Sequence, residues 1–323
     1  MAKQQRLFDD EPKYLFKPEE QNDAYSMAKF WIERHKVYLK RHHLKLAAPW
    51  TDDPVLANYR FCNIYRELDT VSEWIIDNII KPHEKNPNLW FMLAMARIIN
   101  WPDTLQAIMD AGAFPVDRWK PDAVYAVLNH MKAEKKKIIT GAYIINSVFP
   151  KGVNPKDRSK AYYIPYFGLD PLWKRRDELG PVFKTNQTDA VEALRSSQGW
   201  GPFMAYQVIV DLTYSRRWLG RADDIETFTS PGPGTTRGMN RLLFGGRKNK
   251  LAGANLNEPM IQARADVNEA AKSLVPAKWW TGDFKTGFTP LTAANFSNLC
   301  CEYDKYCRTI GGEGEPRAGY KAK

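Results

Sequence analysis

The stretch ALRSSQGWGPFMAYQVIVDLTYSRRWLGRADD, from Ala193 to Asp224, decides the fold. It predicts a helix that ends at Gly199, a tight Gly-Trp-Gly-Pro turn and a second helix that begins at Pro202. The second helix has inward-facing apolar residues at helical spacing, namely Ala205, Val208, Ile209 and Leu212. Two helices joined by so short a turn indicate a helical packing unit.

This segment resembles a helix-hairpin-helix, a motif whose glycines let backbone N–H groups approach a DNA phosphate. The hairpin residues Gly199, Trp200 and Gly201 are therefore candidate DNA-binding residues. An ordinary helix-turn-helix packing element is the alternative. Phe203 stands where bifunctional helix-hairpin-helix glycosylases carry a Schiff-base lysine, so strand cleavage by an amine is not expected.

Two acidic residues follow the hairpin at a telling distance. Asp223 and Asp224 lie 24 and 25 residues beyond Gly199, close to where helix-hairpin-helix DNA glycosylases carry their catalytic aspartate. A carboxylate there can act as a base or stabilise positive charge, so both are candidate catalytic residues. A helix N-cap is the alternative for either aspartate.

The fold class predicted for the whole chain is mainly α, a two-lobed helical fold resembling the helix-hairpin-helix DNA glycosylases. Apolar spacing predicts helices that begin near Asp23, Asp53, Asn88, Pro102 and Pro121. The predicted divisions are a basic N-terminal arm and helix (1–50), a first helical lobe (51–148), a connecting segment (149–188) and a second helical lobe (189–323). The connecting segment is rich in proline and glycine and predicts one short helix, near Pro171 to Glu178.

Charge and composition limit the function classes. The 323 residues carry a net charge of +10, which favours a polyanionic partner such as nucleic acid. No apolar stretch approaches the ~18 residues of a membrane span, and no secretory signal opens the sequence, so we expect a cytoplasmic protein that contacts no membrane. Four cysteines lack the spacing of a metal site, and we predict no bound metal and small buried cysteines.

A basic stretch with six glycines, SPGPGTTRGMNRLLFGGRKNK, follows from Ser230 to Lys250. We predict a loop that brings backbone N–H groups and arginine side chains to phosphate oxygens. Arg237 and Arg241 are four residues apart and share one face if Thr235 or Thr236 caps a helix. The remaining candidates for DNA binding here are Gly232, Gly234, Arg247 and Lys248. The printed sequence has no GxxxxGK[ST] motif, so we do not expect a P-loop kinase.

Polar residues within the helical segments predict a second set of site residues. The candidates for a substrate pocket are Asn63, Arg66, Arg97, Asn100, Tyr143, Tyr206, Gln207, Asp211 and Asp304. Structural bonding between helices is the alternative for the polar members, and core packing for the two tyrosines and for Trp200, which are also candidate stacking residues. Asp304 lies one turn from Arg308, and a surface salt bridge accounts for that pair.

Several segments together resemble one family, the phage α-glutamyl/putrescinyl-thymine pyrophosphorylases, also called amino acid:DNA transferases. The resemblance is carried by YRFCNIYRELDTVSEWI (59–75), MARIINWPDT (95–104), TGAYIINS (140–147), GPFMAYQVIVDLTYS (201–215), PGPGTTRGMNRL (231–242) and LCCEYDKYCR (299–308). The first half is also similar to the helical domain of phage 5-hydroxymethyluracil DNA kinases.

The resemblance implies an enzyme that acts on modified thymine in phage DNA, in the cytoplasm of an infected cell. An amino acid, with glycine expected, or another amine displaces pyrophosphate from 5-(pyrophosphoryloxymethyl)uracil. Arg237 and Arg241 would stabilise the leaving pyrophosphate, and Asp224 or Asp223 would be the base. No tightly bound cofactor is expected beyond the amino acid co-substrate, and Mg²⁺ is left open. A 5-hydroxymethyluracil DNA kinase is a candidate partner besides DNA.

Two further hypotheses remain from the sequence. One is a monofunctional DNA glycosylase-like enzyme that releases a modified thymine, which the spacing from hairpin to aspartate supports. The other is a DNA-binding subunit without chemistry of its own that presents DNA to a 5-hydroxymethyluracil DNA kinase.

Overall fold

The structure is a computed structural model that describes residues 14–141, 147–248, 250–316 and 319. Across these ranges the chain forms helices and turns, with one isolated antiparallel bridge between Tyr59 and Gly319, so the mainly α prediction is confirmed. The α-helices in chain order are α1 (Ala24–Tyr38), α2 (Pro54–Asn58), α3 (Thr70–Ile75), α4 (Lys81–His83), α5 (Leu89–Ile99), α6 (Pro102–Asp110), α7 (Pro121–Ala133), α8 (Lys160–Tyr163), α9 (Asp170–Lys174), α10 (Arg176–Val182), α11 (Gln187–Arg195), α12 (Pro202–Thr213), α13 (Pro233–Phe244), α14 (Asn257–Leu274) and α15 (Ala293–Ile310). In the described part of the chain, no helix combines the length and apolar character that a membrane span requires.

The chain divides into two compact units. The first unit is Met1–Leu68 together with Pro231–Lys323, and the second unit is Asp69–Ser230. This division differs from the predicted lobes, which follow chain order: the connecting segment 149–188 lies inside the second unit, and 189–323 is shared by both. The difference arises because α1 packs against α14 and α13 packs against α15, so residues from both ends of the chain build one core.

The core of the first unit depends on the close approach of α13 to α15. A Cβ on Gly238 would overlap with the backbone carbonyl of Cys300, and one on Gly234 would overlap with the Sγ of Cys301. Glycine at these two positions, one helical turn apart, therefore lets the helix backbones approach closely. Helix α13 ends at Gly245, which takes the left-handed conformation (φ 70°) that terminates helices.

The second unit packs α5 and α11 against α12. Every residue of α5 is buried, from Leu89 to Ile99, as expected for a central helix that is apolar on all sides. The predicted inward residues of α12 are buried as well: Ala205, Val208, Ile209 and Leu212. The predicted pair of helices with a turn near 196–201 is therefore present, while the resemblance to helix-hairpin-helix glycosylases stays a prediction.

Three segments differ from their predicted conformation. The pattern over 53–78 predicted one helix, but α2 ends at Asn58 and α3 begins at Thr70. Between them, the backbone N–H groups of Cys62 and Arg66 donate to the α15 side chains of Glu302 and Asn295, both at 2.9 Å. Tertiary hydrogen bonds thus replace helical ones in this stretch.

The other two differences concern segments rich in proline and glycine. The connecting segment contains α8, α9 and α10 where one short helix was predicted, and the predicted loop 230–250 contains α13. In α13, Pro233 occupies the first turn after the N-cap residue Gly232, where a missing N–H costs no helical hydrogen bond. These prolines begin helices, although their density in the sequence indicated loops.

Candidate functional site

The best-formed cluster of predicted site residues is centred on Asp304, in the first unit. Asp304 lies on α15 and its side chain is buried. Its Oδ2 accepts a hydrogen bond from Nε of Arg237, and its Oδ1 accepts one from Nε of Arg241, each at 2.8 Å. Both arginines project from α13, so the common face predicted from their four-residue spacing is confirmed. The surface salt bridge predicted for Asp304 is wrong, because the carboxylate is buried beneath two arginines.

Arg241 is the most deeply buried cation of this cluster, with a side-chain exposure of 0%. Its guanidinium also donates to Oε1 of Gln21 at 2.5 Å and to Oε2 of Glu313 at 2.8 Å. Burial alone would lower the pKa of Arg241, but the hydrogen bonds to Glu313 and Asp304 raise it above its usual value. In return, the hydrogen bond from Arg241 lowers the pKa of Glu313. The charges of this group are therefore permanent near neutral pH.

Beside this cluster lies a cavity of about 470 Å³, which we call the cationic pocket. Four residues line it, all of them basic: Arg237, Arg247, Lys248 and Arg308. Two carboxylates hold arginines in place, since Arg308 Nε is 3.5 Å from Asp304 Oδ2 and Arg247 Nε is 3.3 Å from Glu313 Oε2. Guanidinium groups offer paired N–H donors that match phosphate oxygens. The cationic pocket is therefore suited to an anion with several oxygen atoms.

Asn63 and Arg66 lie in the stretch between α2 and α3, also in the first unit. The amide oxygen of Asn63 accepts a hydrogen bond from Arg34 at 2.8 Å, and its amide nitrogen donates to the carbonyl of Leu68 at 2.7 Å. The backbone of Arg66 is bonded to Asn295 at 2.9 Å. These contacts agree with the structural alternative for Asn63, which holds the stretch in place.

In the second unit, Arg97 and Asp211 form a buried ion pair. Arg97 donates through Nε and a terminal nitrogen to both carboxylate oxygens, at 2.6 and 2.5 Å. The same guanidinium donates to Oγ of Ser72 at 3.0 Å and to Oδ1 of Asn100 at 3.2 Å. Arg97, Asn100 and Asp211 are thus brought together, as predicted, but in the unit that does not contain Asp304. Nearby on α12, Gln207 and Tyr206 are buried too.

The candidate bases Asp223 and Asp224 lie in the second unit, in the turns that follow α12. Both carboxylate oxygens of Asp224 accept hydrogen bonds from the start of α11: Gln187 N at 2.9 Å, Thr188 N at 2.9 Å and Thr188 Oγ1 at 2.8 Å. Asp224 therefore stabilises the N-terminus of a helix, close to the N-cap alternative. Asp223 is exposed.

The predicted DNA-binding residues of the hairpin are divided between core and surface. Trp200 is buried, and its indole nitrogen donates to the carbonyl of Gly168 at 2.8 Å, so it is a core residue and not a stacking residue on the surface. Gly199 has φ 89°, and a Cβ there would overlap with the hydroxyl of Tyr163. Gly201 is exposed and is the N-cap residue of α12. The predicted pocket residue Tyr143 lies outside the described residues.

Cysteine placement corrects one prediction, because Cys62 is exposed, whereas Cys300 and Cys307 are buried as expected. Among the residues that the structure describes, no three His, Cys, Asp or Glu side chains are placed to hold a metal ion together. The sequence also missed Glu313, which fixes Arg241 and Arg247. Its one signal is its position just beyond the end of α15, at which a side chain can fold back onto that helix.

The fold and its cationic pocket define a basic, all-helical protein equipped to hold a phosphate-like anion. A family model described as "5-hmdU DNA kinase, helical domain" matches residues 22–315, so the chain belongs to this family. The 5-hmdU DNA kinase of Bacillus phage SP10 is 26% identical over 258 residues, which are 71% of this chain and 39% of that kinase. The chain thus matches about two fifths of the relative's length. No solved structure matches it.

These comparisons confirm the predicted similarity to the helical domain of 5-hydroxymethyluracil DNA kinases. The resemblance to the amino acid:DNA transferases stays a prediction, as do the roles assigned to individual site residues.

Proposed function

We propose that this chain modifies thymine-derived bases in phage DNA, as an amino acid:DNA transferase that displaces pyrophosphate from 5-(pyrophosphoryloxymethyl)uracil. The observation that carries the proposal is the cationic pocket, whose four basic lining residues are anchored by Asp304 and Glu313. Membership in a family named for a 5-hmdU DNA kinase supports a modified thymine as the target. We expect this reaction to take place in the cytoplasm of an infected cell.

The chemistry requires stabilisation of a leaving group. The amine nitrogen bonds to the exocyclic methylene carbon of the base, the bond from that carbon to oxygen breaks, and pyrophosphate leaves with the electron pair. Negative charge that develops on the departing oxygen is stabilised by fixed cations, an effect that is strongest when the cations are already in place. Arg237, Arg247 and Arg308 meet this need because acidic partners hold their side chains.

The nucleophilic amine loses a proton during the reaction, and a carboxylate can accept it. Of the two predicted bases, Asp223 is the better candidate, because both oxygens of Asp224 already accept hydrogen bonds from α11. Glycine remains the donor proposed from the family resemblance. Mg²⁺ is a candidate for partial neutralisation of the pyrophosphate, as in other phosphate-transfer sites.

The test uses DNA that contains 5-hydroxymethyluracil and has been converted to the pyrophosphoryl form by a cognate kinase. The full chain is incubated with this DNA and single amine donors, with Mg²⁺ or with EDTA. Released pyrophosphate is measured, and the digested nucleosides are weighed by mass spectrometry. We expect pyrophosphate release that depends on the donor, and a nucleoside that carries the donor. Unchanged nucleosides with every donor would overturn the proposal.

A matched pair of variants links that activity to the cationic pocket. Arg247→Ala removes one lining cation whose side chain is 51% exposed, and we expect turnover to fall about 100-fold, as for loss of one transition-state donor. Lys278→Ala removes one exposed charge outside this pocket and should leave turnover unchanged. Equal turnover in the two variants would separate the activity from the cationic pocket.

The family assignment also supports a second candidate function, a DNA-binding partner of a 5-hydroxymethyluracil DNA kinase, because the matching family model describes one domain of such a kinase. This function predicts DNA binding in a gel-shift assay without any change in the nucleosides. A glycosylase would instead produce abasic sites in the absence of an amine. The same incubation therefore distinguishes the three functions.

A further inference from the structure

A second cavity, of about 420 Å³, lies at the C-terminal end of α15 in the first unit. We call it the tyrosine pocket. Its polar and aromatic lining consists of Tyr14, Asn58, Tyr59, Thr309 and Glu315, and glycines complete part of its wall. Its volume falls within the usual range for sites of small ligands.

The charge of the tyrosine pocket is opposite to that of the cationic pocket. Glu315 is the single ionisable acid or base, apart from the tyrosines, among the described residues that line it. Helix α15 ends at Ile310, and the last carbonyl groups of a helix carry the negative end of its dipole. In a chain with a net charge of +10, a cavity with this lining attracts cations.

The aromatic rings add a second attraction for cations. Tyr14 is 38% exposed, which leaves its ring accessible from the cavity side. Tyr59 hydrogen-bonds to Glu315, an interaction that keeps the carboxylate beside the second ring. The amide nitrogen of Asn58 donates to the carbonyl of Pro54 at 2.8 Å, and its amide oxygen is a further acceptor. A carboxylate combined with tyrosine faces is a suitable environment for an ammonium group.

The two pockets are neighbours along the chain. Consecutive residues of α15 line them, Arg308 the cationic pocket and Thr309 the tyrosine pocket. The segment beyond the helix contributes to both, because Glu313 pairs with Arg241 and Glu315 hydrogen-bonds to Tyr59. One helix end thus serves an anion site and a cation site.

We infer that the tyrosine pocket binds a small aliphatic ammonium compound without a carboxylate, and that this compound is an amine donor for the reaction at the neighbouring cationic pocket. The role as donor rests on the proposed function, whereas the binding does not. Glu315 repels the carboxylate of an α-amino acid, so a diamine binds in preference to glycine. One ammonium group of the diamine is held at Glu315, and the other end, as the neutral amine, is the nucleophile.

Binding is tested by calorimetry on the full chain without DNA, with 1,4-diaminobutane, glycine and the uncharged 1,4-butanediol. We expect the diamine to bind at least tenfold more tightly than glycine and the diol not to bind. Glu315→Gln should weaken diamine binding about fivefold or more, and Tyr14→Ala should weaken it about threefold. Glu258→Gln, an exposed glutamate outside the pocket, is the matched control and should bind the diamine normally. Equal affinity of Glu315→Gln and the unmodified chain, or binding of glycine as tight as that of the diamine, would overturn the inference.

The transferase assay separates the two proposals. If modified DNA gains an amine but Glu315→Gln changes neither the affinity nor the preferred donor, the inference fails and the proposed function stands. If the diamine binds in a Glu315-dependent manner and no donor changes the DNA, the transferase function fails, and the tyrosine pocket remains an ammonium site of another purpose.

Discussion

Two buried pairs of arginine and aspartate, one in each unit, have the same chemistry and different surroundings. In the second unit, Arg97 alone occupies both oxygens of Asp211, and Ser72 and Asn100 accept from the same guanidinium. Each charge has one opposite charge, and the side chains are 3% and 0% exposed. This pair is closed, and its polar groups are engaged within the protein.

In the first unit, the oxygens of Asp304 are shared by Arg237 and Arg241, so one carboxylate holds two cations. Glu313 compensates one of them, while the cationic pocket adds Arg247, Lys248 and Arg308. The group is thus positive in excess, and part of that excess faces a cavity. The comparison teaches that burial of an Arg–Asp pair does not itself indicate a site. An excess of held charge beside a cavity does, because a ligand can then complete the balance.

The largest expected effect comes from breaking the closed pair. Asp211→Ala leaves the Arg97 guanidinium buried without its counter-charge, so we expect a loss of about 3–5 kcal/mol in the free energy of unfolding. Urea denaturation measures it. The double variant Arg97→Met/Asp211→Leu removes both charges and should recover most of the loss, because well-packed apolar residues can replace a buried pair. If the double variant is as unstable as Asp211→Ala, the pair contributes more than mutual compensation of charge.

A change in backbone packing tests the open cluster without altering any of its charges. Gly238→Ala places a Cβ against the Cys300 carbonyl and forces α13 away from α15, at a cost of about 1–3 kcal/mol in the free energy of unfolding. Because Arg237 and Asp304 are then separated, we also expect weaker binding of pyrophosphate, measured by calorimetry. Gly246→Ala adds a Cβ that meets no atom within 4 Å and should change neither quantity. Unaltered pyrophosphate binding in a destabilised Gly238→Ala protein would show that helix spacing does not position the cationic pocket.

The same contrast explains how much of the molecule could be predicted from sequence. Helix α6 was predicted with both its ends, because Pro102 begins it and the local pattern suffices. The stretch between α2 and α3 was not, because its backbone bonds to Glu302, 240 residues away along the chain from Cys62. For Asp304, the sequence indicated its neighbour Arg308, one turn away, whereas the shorter contact is with Arg241, 63 residues distant. Periodicity captures local partners, and the open cluster is built from distant ones.

The smallest expected effect sharpens the comparison at Glu313, the partly exposed acid of the open cluster. Its folded pKa is lowered by the hydrogen bond from Arg241, so the stability it contributes is fully present above its unfolded pKa and is lost as pH falls through the lowered value. The side chain is 31% exposed, and we expect at most about 1 kcal/mol at pH 6. Unfolding of the unmodified chain and of Glu313→Gln between pH 6 and pH 3 measures it. The two stabilities should converge toward the acid end, because protonation removes the same charge as the substitution. A difference that stays constant over this range would mean that Glu313 acts through packing, and that the open cluster is held by Asp304 alone.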